Sequence, residues 1–161
     1  MKATEQLKKQ HDETRAIFKA LEKGNGHSKA LLEKLANSLA AHMVIEQELF
    51  YPAVLAVKED LVLESYEEHA VARFALKRLM KTEPSERTFE AKVTTLKEIL
   101  EHHMEEEEDD LFPRAEKALG EASVALCAEM KALFERTVKA GYENAVGRGG
   151  SAVTSATAPA L

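Results

Sequence analysis

The chain has 161 residues, is 45% hydrophobic and 31% charged, and carries a net charge of −6; this balance fits one helix-rich globular domain and is too apolar for disorder throughout. An acidic chain supplies no basic field for phosphates or anionic lipid, which excludes nucleic acid and membrane surfaces as expected partners. Its single cysteine, Cys127, rules out an internal disulfide and a multi-thiolate metal site, so any metal is held by nitrogen and oxygen.

A first helix is predicted from about Thr4, as its N-cap, to the helix-ending Gly24-Asn25-Gly26. Its inner side reads Leu7, His11, Thr14, Phe18, Leu21, which puts His11 in the core stripe. Ser28 caps a second helix whose stripe is Leu32, Leu35, Leu39, His42, Glu46, Leu49, and Pro52 kinks that helix or ends it and restarts a short turn. A third helix, from about Asp60 to Lys81, carries Val62, Tyr66, His69, Ala72, Leu76 and Leu79 on one side, and the loop Thr82-Glu83-Pro84-Ser85 follows. The fourth starts near Ser85 or Glu86, with the stripe Val93, Leu96, Leu100, His103, Glu107, and Pro113 interrupts it.

An accessory amphipathic helix is expected from about Glu121 to Lys139, with Val124, Cys127, Met130, Leu133, Phe134 and Val138 inward and Cys127 serving only to pack. Residues 1–140 then form one domain, its core bundle over about residues 4–119, and 141–161 read as a flexible tail of small and polar residues. No stretch approaches the roughly 20 apolar residues of a membrane span. The opening MKATEQLKKQHDETR lacks the apolar run of a secretory signal, so a cytoplasmic location is expected. The residues set no oligomeric state, and a monomer suffices.

Two stretches echo each other: AHMVIEQELFYP, from Ala41 to Pro52, and HHMEEEEDDLFP, from His102 to Pro113. In each, a histidine is followed four residues on by a glutamate and ten residues on by a proline: His42, Glu46, Pro52 and His103, Glu107, Pro113. Residues i and i+4 share a helix face with Cβ atoms roughly 5–6 Å apart, so each copy aims one imidazole and one carboxylate at a common point. His42 to His103 spans 61 residues and His11 to His69 spans 58, as if one helix pair were used twice.

One histidine on an apolar face is ordinarily a satisfied core residue; four of them beside two glutamates are not. Burying a carboxylate costs several kcal/mol unless it is paired or bound to metal, and Glu46 interrupts a leucine stripe that holds no Lys or Arg. In the second copy the acidic run puts a glutamate four residues after both His102 and His103. His103 is chosen because it keeps the interval to proline and lies on the stripe of Val93, Leu96 and Leu100, whereas His102 shares a face with Glu98 and Thr95 and points to solvent. The rest of the acidic run reads as a solvated face, and His27 as a surface residue. Six ligands remain: His11, His42, Glu46, His69, His103 and Glu107. Two metals about 3.5–4 Å apart could each take two imidazoles, share both carboxylates, and fill the remaining positions with oxo, hydroxo or water. Imidazole with carboxylate and no thiolate suits iron best, then manganese or zinc. The residues leave open which lone histidine shares a metal with which His-x-x-x-Glu histidine; the repeat favours His11 with His42 and His69 with His103. Tyr66, one turn before His69, is read first as a core tyrosine and second as a hydrogen-bond or electron donor to the site.

Ferritin-like bundles use Glu-x-x-His with further glutamates. The order here is a lone His, then His-x-x-x-Glu with a following LFP-like element, repeated, and it resembles the hemerythrin family in its His-His-Glu cation-binding subgroup over roughly residues 4–119. The resemblance implies an all-α, up-down-up-down four-helix bundle around a non-haem di-iron centre, with all six family positions filled. Oxygen carriers of that family have a further histidine one turn after the third-helix His, where Arg73 stands here, and an Asp where this chain has Glu107. The resemblance therefore does not imply plain oxygen carriage and leaves three functions open, the first a protein that binds or senses O2 or another small diatomic such as nitric oxide. The others are an enzyme acting on peroxide or nitric oxide or in iron-centre repair, and an iron buffer or sensor.

Overall fold

The structure, a computed structural model, describes residues 1–24, 26 and 28–145, and all regular secondary structure among them is helical. Helix α1 (Ala3–Glu22) is followed by α2 (Ser28–Ile45), a short α3 (Tyr51–Val54), α4 (Glu59–Met80), α5 (Phe89–Glu106), α6 (Phe112–Leu119), α7 (Ala122–Ala140) and the single turn α8 (Tyr142–Ala145). Four of the long helices, α1, α2, α4 and α5, close a ring: α1 packs on α2 and α5, and α4 packs on the same two. Short connections between consecutive members make the ring an up-down-up-down bundle.

The apolar stripes bury as their spacing requires, but into two separate clusters. Phe18, Leu35, Leu39, Leu76, Leu79 and Leu96 fill one end of the bundle. Leu7, Ile45, Phe50, Val62, Leu111 and Met130 fill the other. Between the clusters each helix of the ring contributes a buried histidine, so the polar layer is flanked at both ends by hydrocarbon.

Helix ends depart from the sequence expectation where other side chains take the terminal N–H groups. Lys2, not Thr4, precedes the first turn of α1, and its backbone N–H donates to Glu5 Oε2 at 2.8 Å. Thr4 lies inside that turn, its hydroxyl donating to Glu116 Oε1 at 2.8 Å. Residues ahead of α5 stay in turns, with the Glu83 N–H donating to Glu86 Oε1 at 2.9 Å, and the helix begins at Phe89 rather than at Ser85 or Glu86. After α1 the chain reverses at Gly24, whose φ of 61° is a left-handed conformation that favours glycine.

Each proline falls where its long helix has ended and a shorter one restarts, as expected for Pro52. Glu46–Phe50 and Glu107–Leu111 are single π-helical turns, and Pro52 and Pro113 fall in the first turn of α3 and α6 directly after them. Proline has no N–H to offer and is tolerated in a first turn.

Helix α7 packs along α1 and α2, but its buried side is Ser123, Cys127, Met130, Leu133 and Thr137, while Val124 and Val138, expected inward, are exposed. The reason is hydrogen bonding. Ser123 Oγ accepts the Ala3 N–H at 3.0 Å, an amide that α1 cannot satisfy itself, and the Thr137 hydroxyl donates to the Leu133 carbonyl at 2.8 Å. Tyr142–Ala145, placed in the tail by the sequence reading, form α8 against α2 and α7, with the Tyr142 N–H donating to Asn37 Oδ1 at 2.7 Å. The remainder of the expected tail and His27 lie outside the described residues.

Candidate metal centre

Each member of the ring delivers one imidazole to the middle of the bundle: His11 from α1, His42 from α2, His69 from α4 and His103 from α5. Glu46 and Glu107 each open a π turn one helical turn beyond His42 and His103. All six are buried, the two glutamates completely. The imidazoles meet in pairs, His11 Nε2 lying 3.2 Å from His42 Nε2 and His69 Nε2 lying 3.0 Å from His103 Nε2. Glu46 spans the pairs, with Oε1 3.2 Å from His42 Nε2 and Oε2 3.2 Å from His69 Nε2. Glu107 Oε2 is 3.4 Å from His11 Nε2 and 3.6 Å from His103 Nε2.

The outward nitrogens show which face of each ring is turned inward for coordination. His11 Nδ1 lies 2.9 Å from Glu108 Oε1, His42 Nδ1 2.8 Å from Gln10 Oε1, and His103 Nδ1 2.7 Å from Glu68 Oε2. Carboxylate and carbonyl oxygens only accept, so each of these Nδ1 atoms donates a proton and leaves Nε2 as the nitrogen that could ligate a metal. Two Nε2 atoms about 3 Å apart repel unless a proton or a cation lies between them.

The carboxylates decide whether a metal fits. Both oxygens of Glu46 and Oε2 of Glu107 are buried with no hydrogen-bond partner among the described residues, and a buried, unsatisfied carboxylate is among the costliest arrangements in a protein interior. Two clusters of donor atoms with metal-ligand spacing converge here, His11, His42, Glu46 and Glu107 in one and Glu46, His69 and His103 in the other. The donor set, four imidazoles and two carboxylates with three orphaned oxygens turned inward, fits a divalent or trivalent cation pair.

Protons take over part of that charge in the metal-free centre. Burial lowers the His11 pKa, but Glu107 and Glu108 outweigh it and raise it to about 9. Burial likewise opposes charge on His103, and Glu107 and Glu68 reverse the outcome, raising its pKa. Burial dominates at the other two: His42 is pushed well below the usual histidine range, and His69 is lowered to about 3.

Tyr51 is a residue the helical periodicity did not single out. Its buried hydroxyl donates to Glu107 Oε1 at 2.9 Å and lies 3.2 Å from His69 Nε2, its ring packs 5.4 Å from that of His69, and burial next to Glu107 and Glu46 pushes its pKa well above the usual tyrosine range. The repeat holds the signal: Tyr51 precedes Pro52 as Phe112 precedes Pro113, and Phe112 stacks 5.6 Å from the His11 ring. Tyr66, the tyrosine singled out from the sequence, is half-buried, donates to the Gln47 carbonyl at 3.2 Å and touches Tyr51 edge-on rather than the centre. Arg73 turns to the side-chain oxygen of Gln47. His102 is exposed, lying 3.6 Å from Glu106 and 3.7 Å from Glu68, while its neighbour His103 is buried.

A helical bundle with a buried ring of imidazoles and carboxylates defines a metal-binding four-helix protein. Residues 2–115 match the model of the hemerythrin HHE cation-binding domain, and the chain belongs to that family. Its fold is similar to the crystal structure of a hemerythrin HHE cation-binding domain-containing protein from Mycobacterium kansasii, 26% identical, with a TM-score of 0.79 over 92% of this chain and 99% of that one. No protein of curated function matches the sequence. Among the described residues no helix is long and apolar enough to cross a membrane.

Proposed function

We propose that this protein holds two iron ions between His11, His42, Glu46, His69, His103 and Glu107 and binds O2 or a related small species, NO or peroxide, at that pair, in the handling of oxygen or of oxidative and nitrosative stress. The observation that carries the reading is the trio of orphaned carboxylate oxygens, Glu46 Oε1 and Oε2 and Glu107 Oε2, facing two pairs of Nε2 atoms. His11 and His42 hold one position, His69 and His103 the other, and the glutamates lie between them. Iron supplies reversible one-electron chemistry and affinity for small π-acid and oxygen ligands. The chain contributes a buried polar layer flanked by two apolar clusters, which limits the access of water and larger molecules to the pair.

Tyr51 favours a second reading, an enzyme that turns over peroxide or NO. The Tyr51 hydroxyl, buried 2.9 Å from Glu107 Oε1 and 3.2 Å from His69 Nε2, stands where it can hand a hydrogen bond to a small species at the pair, and positioned proton-transfer groups contribute typically about 10²–10⁴-fold to rate. Nothing comparable stands in the other half, where Phe112 takes that place.

Optical spectra of the protein, iron-loaded without air and then exposed separately to O2, peroxide and NO, distinguish these uses. A stable, reversible oxygenated spectrum identifies carriage or sensing. Rapid consumption of peroxide or NO, lost in Tyr51→Phe while the iron content stays the same, identifies the enzyme. Occupancy by iron with no response to any of the three leaves an iron buffer. Protein that takes up no iron and loses no thermal stability without it overturns the reading altogether.

A further inference from the structure

We infer that the two metal positions are unequal in strength, because Glu108 pins His11 from behind whereas Gln47, its counterpart in the repeat, leaves His69 without support; the metal held by His69 and His103 is the labile one. The inference rests on the six side chains being the ligands of a metal pair.

The internal repeat relates the groups behind the imidazoles one by one. Gln10 and Glu68 each precede a lone histidine, and each backs the partner histidine across the bundle, His42 and His103 respectively. Arg15 and Arg73 each follow a lone histidine by one turn, and Glu108 and Gln47 each follow a bridging glutamate by one residue. In the first half these residues form a chain: Arg15 Nη1 donates to Glu108 Oε1 at 2.8 Å, and the same oxygen accepts from His11 Nδ1 at 2.9 Å. In the second half Arg73 donates to Gln47 Oε1, but His69 Nδ1 is buried with no hydrogen-bond partner among the described residues.

The difference follows from what each group can accept. An ionised carboxylate is a charged acceptor, and one of its oxygens takes a guanidinium and an imidazole together, as Glu108 Oε1 does. The Gln47 amide oxygen is a neutral and weaker acceptor, it is engaged by Arg73, and it makes no bond to His69 Nδ1. Gln47 is 5% exposed, so water does not readily stand in for the missing acceptor.

Consequently His11, His42 and His103 enter metal binding with the proton already fixed on Nδ1 and Nε2 turned inward, while no acceptor among the described residues fixes a proton on Nδ1 of His69. When Nε2 of His69 ligates a metal, its proton moves to Nδ1, into a buried position with no acceptor. A ligand histidine that lacks its outer hydrogen bond typically weakens a site about 10–100-fold. Glu68 supports His103 in the same half, so the site persists there but with one poorly anchored ligand, next to the Tyr51 hydroxyl. Gln47 and Glu108 are thus positioning residues that set the order in which the two metals load and leave.

The test is release of iron(II) from the anaerobically loaded protein to an excess of a chromogenic chelator, followed in time. Wild type is expected to release iron in two phases of equal amplitude, with rates about 10–100-fold apart. Gln47→Glu, which gives Arg73 and His69 the acceptor that Arg15 and His11 share, is expected to slow the fast phase toward the slow one. Glu108→Gln tests the same idea without adding a buried charge and is expected to convert the slow phase into a fast one. One phase in wild type that accounts for both irons, or two phases that neither substitution shifts, overturns the inference while leaving the metal pair intact. A protein that binds no iron overturns both.

Discussion

Glu107 carries two different connections. Its Oε1 accepts from the Tyr51 hydroxyl, and its Oε2 is left for the centre. Removing the hydroxyl orphans a second buried carboxylate oxygen, and leaving a buried polar group unpaired costs about 1–3 kcal/mol. Tyr51→Phe is therefore expected to destabilise the metal-free protein by about that amount, read as a lower urea midpoint at an unchanged m-value, while metal content is retained. The adjacent histidines give a second comparison at this scale. His103 is buried 3.6 Å from Glu107, and His102 is exposed on the other side of the helix. His103→Ala is expected to lose at least one metal and His102→Ala to lose none, as measured by metal analysis after loading; the reverse result would place the ligand on the outer face.

At the scale of the element, the two π turns explain both what the sequence disclosed and what it hid. An α-helix of 3.6 residues per turn carries residues i and i+4 on one face; that rule brought out His42 with Glu46, and together with the interval to proline and the apolar stripe it chose His103 with Glu107 over His102 with Glu106. The fifth residue stands on another face of an α-helix, but a π turn, with its bond from residue i+5 back to i, sets it nearly over the first. The Tyr51 N–H bonds to the Glu46 carbonyl and the Phe112 N–H to the Glu107 carbonyl in this way, which returns both rings to the centre. Helical periodicity therefore pointed to Tyr66, whose backbone is regular, and passed over Tyr51. Pro52 and Pro113 marked the irregularity without disclosing its form. Helix α7 shows a similar limit: counting apolar residues favoured Val124 and Val138, but the helix turned to bury Ser123 because α1 needed an acceptor for the Ala3 N–H. Ser123→Ala is accordingly expected to cost about 1–3 kcal/mol of stability and to leave metal content unchanged; a variant as stable as wild type would show that water replaces the hydroxyl.

At the scale of the whole molecule, a polar layer of six ionisable side chains lies between two apolar clusters that need no metal to pack. The bundle is therefore expected to remain helical when stripped of metal, but less stable. A metal present at a hundred times its dissociation constant adds about 2.7 kcal/mol. For a domain of this size that corresponds to a rise in Tm of roughly 5–10 °C, so chelation should lower Tm by about that much and re-addition of iron should restore it. The internal repeat gave the arrangement an approximate two-fold character that was legible in the spacing of His11, His42, His69 and His103. What the spacing did not disclose is how the halves differ, Tyr51 against Phe112 and Gln47 against Glu108. Those differences matter only once the helices have brought the pairs together.

The central claim, that these six residues hold a metal pair, is tested most directly by counting iron per chain after anaerobic loading and removal of excess. About two irons per chain are expected for wild type, and fewer for Glu46→Ala. Wild-type protein that retains its helical fold and takes up no more than one iron would contradict it.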